Sequence, residues 1–277
     1  MKTYTYIIAA ALLLAPMSQA DAQKLVILHT NDTHSQIDPC RVGRGKGLGG
    51  VERRLQYIDE VRGQYGKKNV LLLDGGDYNQ GTPYFTVSRG DLEIELVNAL
   101  KYDVATLGNH EFDNGQEELH RRLKKAKHTT VTCNYDFSGT CLKNDIKPCT
   151  IVRRGGMKIG IVGATTYLEG SVMKSHTDGL VRLDAIERIN YYADYLKNRK
   201  HCDLVILLSH MGYSGGSYNK PSDVLAVPNL RNVDIVIGGH SHTFLNEASE
   251  VKDLDGKVVP VVQAGGQGLV VGRMDIY

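Results

Sequence analysis

At 277 residues the chain is long enough to bury a substantial core. Its hydrophobic share of 42% and charged share of 23% are those of an ordinary globular protein. A formal net charge of +2 excludes the strongly basic balance of a nucleic-acid or polyanion binder.

The first 22 residues read as a cleavable export leader: Lys2, an apolar core from Tyr6 to Pro16, and the small-x-small site Ala20-Asp21-Ala22, leaving Gln23 as the new terminus. The apolar run is too short to span a membrane comfortably. A periplasmic or secreted location is therefore expected, with residues 23–277 as one domain. Five cysteines remain: Cys40, Cys133, Cys141, Cys149 and Cys202. An odd count leaves at least one thiol unpaired, the spacing has no zinc-site character, and one local bridge within Cys133–Cys149 plus buried free thiols is the simplest expectation.

Leu25 to Leu28 is a continuous apolar run that predicts a buried strand feeding the polar loop His29-Thr30-Asn31-Asp32-Thr33-His34. A glycine-rich loop follows, Gly43 to Gly50, without phosphate-cradling spacing. Val51, Leu55, Ile58 and Val61 step at helical intervals. Val70 to Leu73 is a second buried strand, ending in Asp74-Gly75-Gly76-Asp77. Ile94 to Leu100 lies on a helix. Val104 to Leu107 is a third strand leading into Gly108-Asn109-His110-Glu111-Phe112-Asp113-Asn114-Gly115, and a basic helix from Arg121 to Lys127 is expected after it. Thr129 to Cys133 reads as a strand. Ile151-Val152 and Lys158 to Val162, either side of Gly155-Gly156, read as a hairpin. Asp184 to Lys200 is the clearest helix, with Asp184 as its cap and Glu187 at the reciprocal position. Leu204 to Leu208 and Val233 to Ile237 are strands ending in Ser209-His210 and Gly238-Gly239-His240-Ser241-His242. Val258 to Val262 and Leu269 to Ile276 close the domain. Strand, polar loop and helix alternate, which argues for an α/β domain with helices outside the sheets.

Five strand ends carry ligand-type groups: Asp32 and His34; Asp77; Asn109, His110 and Asp113; His210; His240 and His242. Each alone reads as a cap or turn residue. Together they stand at the edge where open α/β sheets bind ligands. Carboxylates and imidazoles without thiolates suit Mn, Fe or Zn. So many ligand-type groups exceed one tetrahedral ion and fit two ions about 3.5–4 Å apart bridged by a carboxylate, for which Asp77 is the natural candidate.

In order and context, Asp32-x-His34, Gly76-Asp77, Gly108-Asn109-His110-Glu111, His210 and Gly239-His240-x-His242 resemble the calcineurin-like metallophosphoesterases. The strings Ile27 to Asp32 and Gly108 to Gly115 resemble the 5′-nucleotidase branch. The resemblance implies a four-layer αββα sandwich of two mixed sheets flanked by helices, with a dinuclear centre at strand C-terminal ends. It implies one metal on Asp32, His34, Asp77 and His242, and a second on Asp77, Asn109, His210 and His240. His110 is then no ligand but the group that protonates the leaving oxygen or stabilises transition-state charge, with Asp113 holding its ring. The implied reaction is hydrolysis of a phosphate ester by a metal-activated hydroxide, with no covalent phosphoenzyme.

Glu111 reads either as a partner that supports the ligands or as a cap for the next helix. His29 is expected beside the site, and His120, His128, His176 and His201 at the surface. Relatives of this branch carry a C-terminal domain that supplies the nucleoside pocket, and this sequence stops where that domain begins. With no Trp and four Phe, no aromatic pair is assignable to base stacking. The expected substrate is a small phosphate ester, first among them nucleoside 5′-monophosphates, handled alone or with a separately encoded C-terminal-type chain. A phosphodiesterase of 2′,3′-cyclic nucleotides or nucleotide sugars, or a degenerate scaffold subunit, are the alternatives.

Overall fold

The computed structural model describes residues 4–7, 25–41, 43–217 and 220–277. Two mixed sheets lie face to face. The first contains β1 (Tyr4–Ile7), β2 (Leu25–Thr30), β3 (Val70–Asp74), β4 (Val104–Thr106), β5 (Thr129–Val131), β6 (Ile146–Lys147) and, late in the chain, Gly272–Ile276. The second contains β7 (Cys149–Arg154), β8 (Met157–Thr165), β9 (Leu204–His210), β10 (Ile235–Ile237), β11 (Ser249–Lys252) and β12 (Val258–Val262). Gly272–Ile276, β13, lies antiparallel to β2. The strand orders are β1-β13-β2-β3-β4-β5-β6 and β11-β12-β10-β9-β8-β7.

Why the strands read as unbroken apolar runs is now evident: both faces of both sheets are covered. Leu25, Ile27, Leu71 and Leu73 of the first sheet meet Ile159, Ile161, Ile206, Leu208 and Ile237 of the second in an inner core. The alternate residues Val26, Leu28, Val70 and Leu72 face outward against Ile58 and Val61 of α1 (Val51–Tyr65). Val97 and Leu100 of a second outer helix, Asp91–Leu100, pack there too. On the far side, Ile186, Ile189 and Ala193 of the helix Ala185–Asp194 cover Val162, Val205 and Val236. The expected four layers are present. No helix among the described residues is long and apolar enough to cross a membrane.

Several local expectations change. Tyr4–Ile7 pairs in parallel with β13, although the leader reading places residues 1–22 outside the fold. An open sheet edge accepts any extended segment, and residues 8–24 lie outside the described residues. The basic helix is Gly115–Leu123, so it starts earlier and half of the Arg121 to Lys127 stretch follows it. Strand β5 stops at Val131, β10 begins at Ile235 and β13 at Gly272. The expected hairpin at Gly155-Gly156 forms, with Arg154 opposite Met157.

The helix capped by Asp184, whose carboxylate accepts from the Glu187 N–H at 2.8 Å, is α-helical only to Asp194. A widened π turn carries Tyr195–Arg199, seating the buried Leu196 on Gly160, where any Cβ would come within 2.9 Å of it. All five cysteines are free, so the local bridge does not form. Cys133 and Cys149 pack in the core beneath the helix Ala185–Asp194, while Cys141 belongs to a different cluster.

His128 is buried, not superficial, and His120 is held by Asp145 at 2.5 Å. Burial pushes both His128 and His29 down to about 4. Such a histidine stays neutral in the fold while the unfolded chain takes up a proton below about pH 6.5, so stability falls as pH drops from there towards 4. Each should remove about 2 kcal/mol between pH 7 and pH 5. Urea unfolding at those two pH values should show the loss smaller by about 2 kcal/mol in His128→Phe; an unchanged loss would count against a buried neutral His128.

Candidate metal centre

The loops after β2, β3 and β4 meet the loops after β9 and β10, and the expected residues converge there. Asp32 is fully buried; its Oδ1 lies 3.3 Å from His242 Nε2, 3.8 Å from His34 Nε2 and 3.9 Å from His210 Nε2. His34 Nε2 and His242 Nε2 are 2.8 Å apart. Asp77 Oδ2 lies 3.0 Å from His210 Nε2, and its Oδ1 accepts the His110 N–H at 2.8 Å. The His210 and His240 rings stand edge to face at 5.2 Å. His110 Nδ1 meets Asp113 Oδ2 at 2.8 Å, and its ring is 5.3 Å from that of His34. His34, Asp77, His110, His240 and His242 line an open cleft of about 450 Å³ with Gln36, Gln80, Gly81, Asn109 and Gln267.

The backbone is strained to make this cluster. Asp32, His34, Asp77, His240 and His242 all have φ between 47° and 73°, a left-handed conformation that costs a non-glycine residue about 1–2 kcal/mol. The chains also approach closely. A Cβ on Gly108 would fall 2.1 Å from Asp77 Oδ1, which is why the turn before Asn109 begins with glycine.

Three sets of side chains present ligand atoms mutually within 4.8 Å: Asp32, His34 and His242; His34, Asp77 and His110; Asp77, His210 and His240. Nitrogens and oxygens sharing one tetrahedral ion lie about 3–3.5 Å apart, and the pairs here, from 2.8 Å for His34 with His242 to 3.9 Å for His210 with Asp32, bracket that spacing. His210 donates from Nδ1 to the Gly75 carbonyl at 2.6 Å, which turns Nε2 towards Asp77. Asn109 Oδ1 is buried without a hydrogen-bond partner. Burial works against a charged His210, yet the Asp77 and Asp32 carboxylates push it up to about 10. Burial, helped by His210, instead drives His240 down to about 4, and burial lowers His34. An orphaned oxygen, neutral imidazoles and two carboxylates that demand a positive charge fit divalent cations.

Glu111 supports the cluster and caps nothing. Its Oε2 accepts from Asp77 N at 2.9 Å and Gly108 N at 2.6 Å, and its Oε1 from Tyr78 N at 3.1 Å and Asn79 N at 3.3 Å. One carboxylate thus ties the loop bearing Asp77 to the loop bearing Asn109. Burial and the Asp77 charge push it up to about 7, while the N–H donors pull it down. Glu111→Gln turns an amide NH₂ onto two of those donors and should weaken divalent-ion binding about 10- to 100-fold. Calorimetric metal titration checks this, and saturating metal should restore much of the turnover.

Asn31 and Thr166 carry no signal that sequence reasoning singles out. Asn31 Nδ2 donates to Asp32 Oδ2 at 2.7 Å and to the Gly265 carbonyl at 2.6 Å, locking the carboxylate. Thr166 Oγ1 sits 3.4 Å from His240 Nε2. Neither has a spacing pattern, because both act across folded loops. His29 lies two residues from Asn31 but is sealed in the fold with both ring nitrogens unpartnered; His176 lies against Gly115 but in none of the ligand clusters, and His201 is exposed.

The calcineurin-like phosphoesterase family model matches residues 25–244. Human 5′-nucleotidase is 36% identical over 93% of this chain and 47% of its own length. The 5′-nucleotidase precursor of Thermus thermophilus superposes with a TM-score of 0.81 at 34% identity, covering 92% of this chain and 51% of that one. The NAD nucleotidase of Haemophilus influenzae gives 0.77 at 28% identity, covering 91% and 47%. The chain spans about half the length of the curated relatives it matches. With the family model running from β2 through His242, the chain belongs to the calcineurin-like phosphoesterase family.

Proposed function

We propose that this chain hydrolyses phosphate monoesters, nucleoside 5′-monophosphates among them, at a two-metal centre. The observation that carries the reading is Asp77, whose carboxylate belongs to two of the three ligand clusters while anchoring the backbone of His110. Asp32, His34, Asp77 and His242 would hold one cation, and Asp77, Asn109, His210 and His240 the other. When bound, the two cations supply charge neutralisation for the phosphoryl oxygens and acidify a water for attack.

The chain's own residues set up the rest. Asp113 accepts the Nδ1 proton of His110, leaving Nε2 as the ring atom free to serve the cleft. Burial lowers the basicity of His110, but the Asp113 hydrogen bond and the Asp77 charge outweigh it and raise it above 6.5. The raised basicity favours the protonated ring, which can give its Nε2 proton to the leaving oxygen. Asn31 fixes Asp32, and Glu111 fixes the backbone under Asp77.

Apart from histidines, no aromatic side chain lines the described cleft, which supports a chain that recognises the phosphoryl group and leaves the nucleoside to another body or to solvent. Export through the leader, a periplasmic or secreted location, and docking of a separate C-terminal-type chain belong to the same proposal. The likeness to a nucleotidase named for a dinucleotide favours, as second reading, hydrolysis of nucleotide phosphodiesters or nucleotide sugars. A panel on metal-loaded mature protein tests it. AMP and an aryl phosphate should be turned over with kcat/KM values within about tenfold of each other, since a site that recognised the nucleoside would discriminate far more. Turnover of diesters alone would replace the monoesterase reading with the second one.

A further inference from the structure

Beside the His240 wall of the centre the fold holds two cations that nothing so far uses. Tyr167 follows Thr166, the residue whose hydroxyl lies 3.4 Å from His240 Nε2. Over the Tyr167 ring stand the Arg182 guanidinium, 4.0 Å from the centroid, and the Lys220 ammonium, 5.7 Å from it. Three separate segments build this arrangement. Tyr167 is on the loop after β8, Arg182 is on a short strand paired with Tyr135–Asp136, and Lys220 is on a hairpin paired through Ser217, in the segment that follows His210.

Neither the Arg182 nor the Lys220 side chain has a carboxylate partner or hydrogen bond among the described residues, and both residues are exposed. Glu169 lies near, but its carboxylate accepts from Tyr135 at 3.4 Å. Two like charges gathered on one ring without an acid repel each other, and the ring quadrupole offsets only part of that cost. A stacked guanidinium is at the same time pre-oriented for bidentate contact with phosphate. The ring is covered by cations, so it is poorly placed to stack a base. The arrangement favours an anion.

We propose that Tyr167, Arg182 and Lys220 form a shelf that binds a second phosphate of the substrate, outside the one hydrolysed, so that the site prefers esters carrying a diphosphate or a distal phosphate over simple monoesters. This rests on the phosphoesterase reading. In ADP, water would take the terminal phosphoryl group in the His110 cleft, the P–O–P anhydride bond would break, and AMP would leave with its phosphate on the shelf; the shelf contributes binding only.

The test compares ADP with p-nitrophenyl phosphate in wild type, Arg182→Ala/Lys220→Ala and Tyr167→Phe. The double variant should raise KM for ADP about tenfold or more, the usual weight of charge-assisted phosphate contacts. It should leave kcat/KM for p-nitrophenyl phosphate within about twofold. Tyr167→Phe, which keeps the ring, should behave as wild type. Equal losses on both substrates, or none on ADP, overturn the shelf. If wild type hydrolyses neither substrate, the proposed function fails, and the shelf is decided separately by calorimetry on metal-loaded protein. Inorganic pyrophosphate should then bind the double variant about tenfold more weakly than wild type, and equal binding rejects the proposal.

Discussion

Replacing His110 by Ala should lower kcat by about two to four orders of magnitude, the usual weight of one acid-base or charge-stabilising group, while the metal content survives. Nδ1 is engaged by Asp113 at 2.8 Å, and the backbone N–H is fixed to Asp77 Oδ1 at 2.8 Å, so the ring is held from two sides at the cleft. Yet the same ring belongs to a cluster with His34 and Asp77 whose atoms lie within 4.8 Å, and a ligand role would be geometrically feasible. The variant separates the two roles. Full metal stoichiometry with depressed turnover assigns His110 to proton transfer or charge stabilisation, whereas loss of a metal equivalent makes it a ligand. Unchanged turnover would remove His110 from the mechanism altogether. Asp113→Asn should reproduce part of the loss, because an amide holds the wrong tautomer.

Asp77→Asn should be at least as severe, with about a thousandfold or greater loss of activity and no more than one metal equivalent retained. A neutral amide preserves the size of the group and can still accept from His110 N, so the fold should persist. It removes the charge that two ligand clusters share. Structural zinc-type sites draw much of their binding free energy from anionic ligands, and a bridging carboxylate serves both ions at once. Elemental analysis after dialysis, alongside circular dichroism to confirm folding, measures the outcome. Two retained equivalents and near-normal turnover would show that Asp77 does not join the ions, and the two-metal reading would fall with it.

Much of the molecule is written in the order of its residues. Leu25 to Leu28 and Leu204 to Leu208 announce strands buried on both faces because no polar residue interrupts them. The hairpin at Gly155-Gly156 and the Asp184 cap follow from turn and cap chemistry that acts over two to four residues. Asp32, His34, Asp77, Asn109, His210, His240 and His242 are legible because each ends an apolar run, and the run itself says which edge of a sheet the residue reaches. Other features are invisible at that range. That His128 is buried, that Cys133 and Cys141 belong to different cores, and that the helix from Ala185 widens into a π turn over Gly160 depend on which surfaces meet.

Glu111 shows the boundary most clearly. Its type and position suit either a helix cap or a supporting group, and only the folded chain brings the amides of Asp77, Tyr78, Asn79 and Gly108 around its carboxylate. The sequence by itself determined the elements and the identity of the groups at their ends, since periodicity and turn chemistry are local. The tertiary structure alone decided the distances among those groups, the left-handed backbone that aims them, and the cations over Tyr167. Those follow from contacts between segments far apart in the chain, and the interaction energies that select them exist only when both partners are in place.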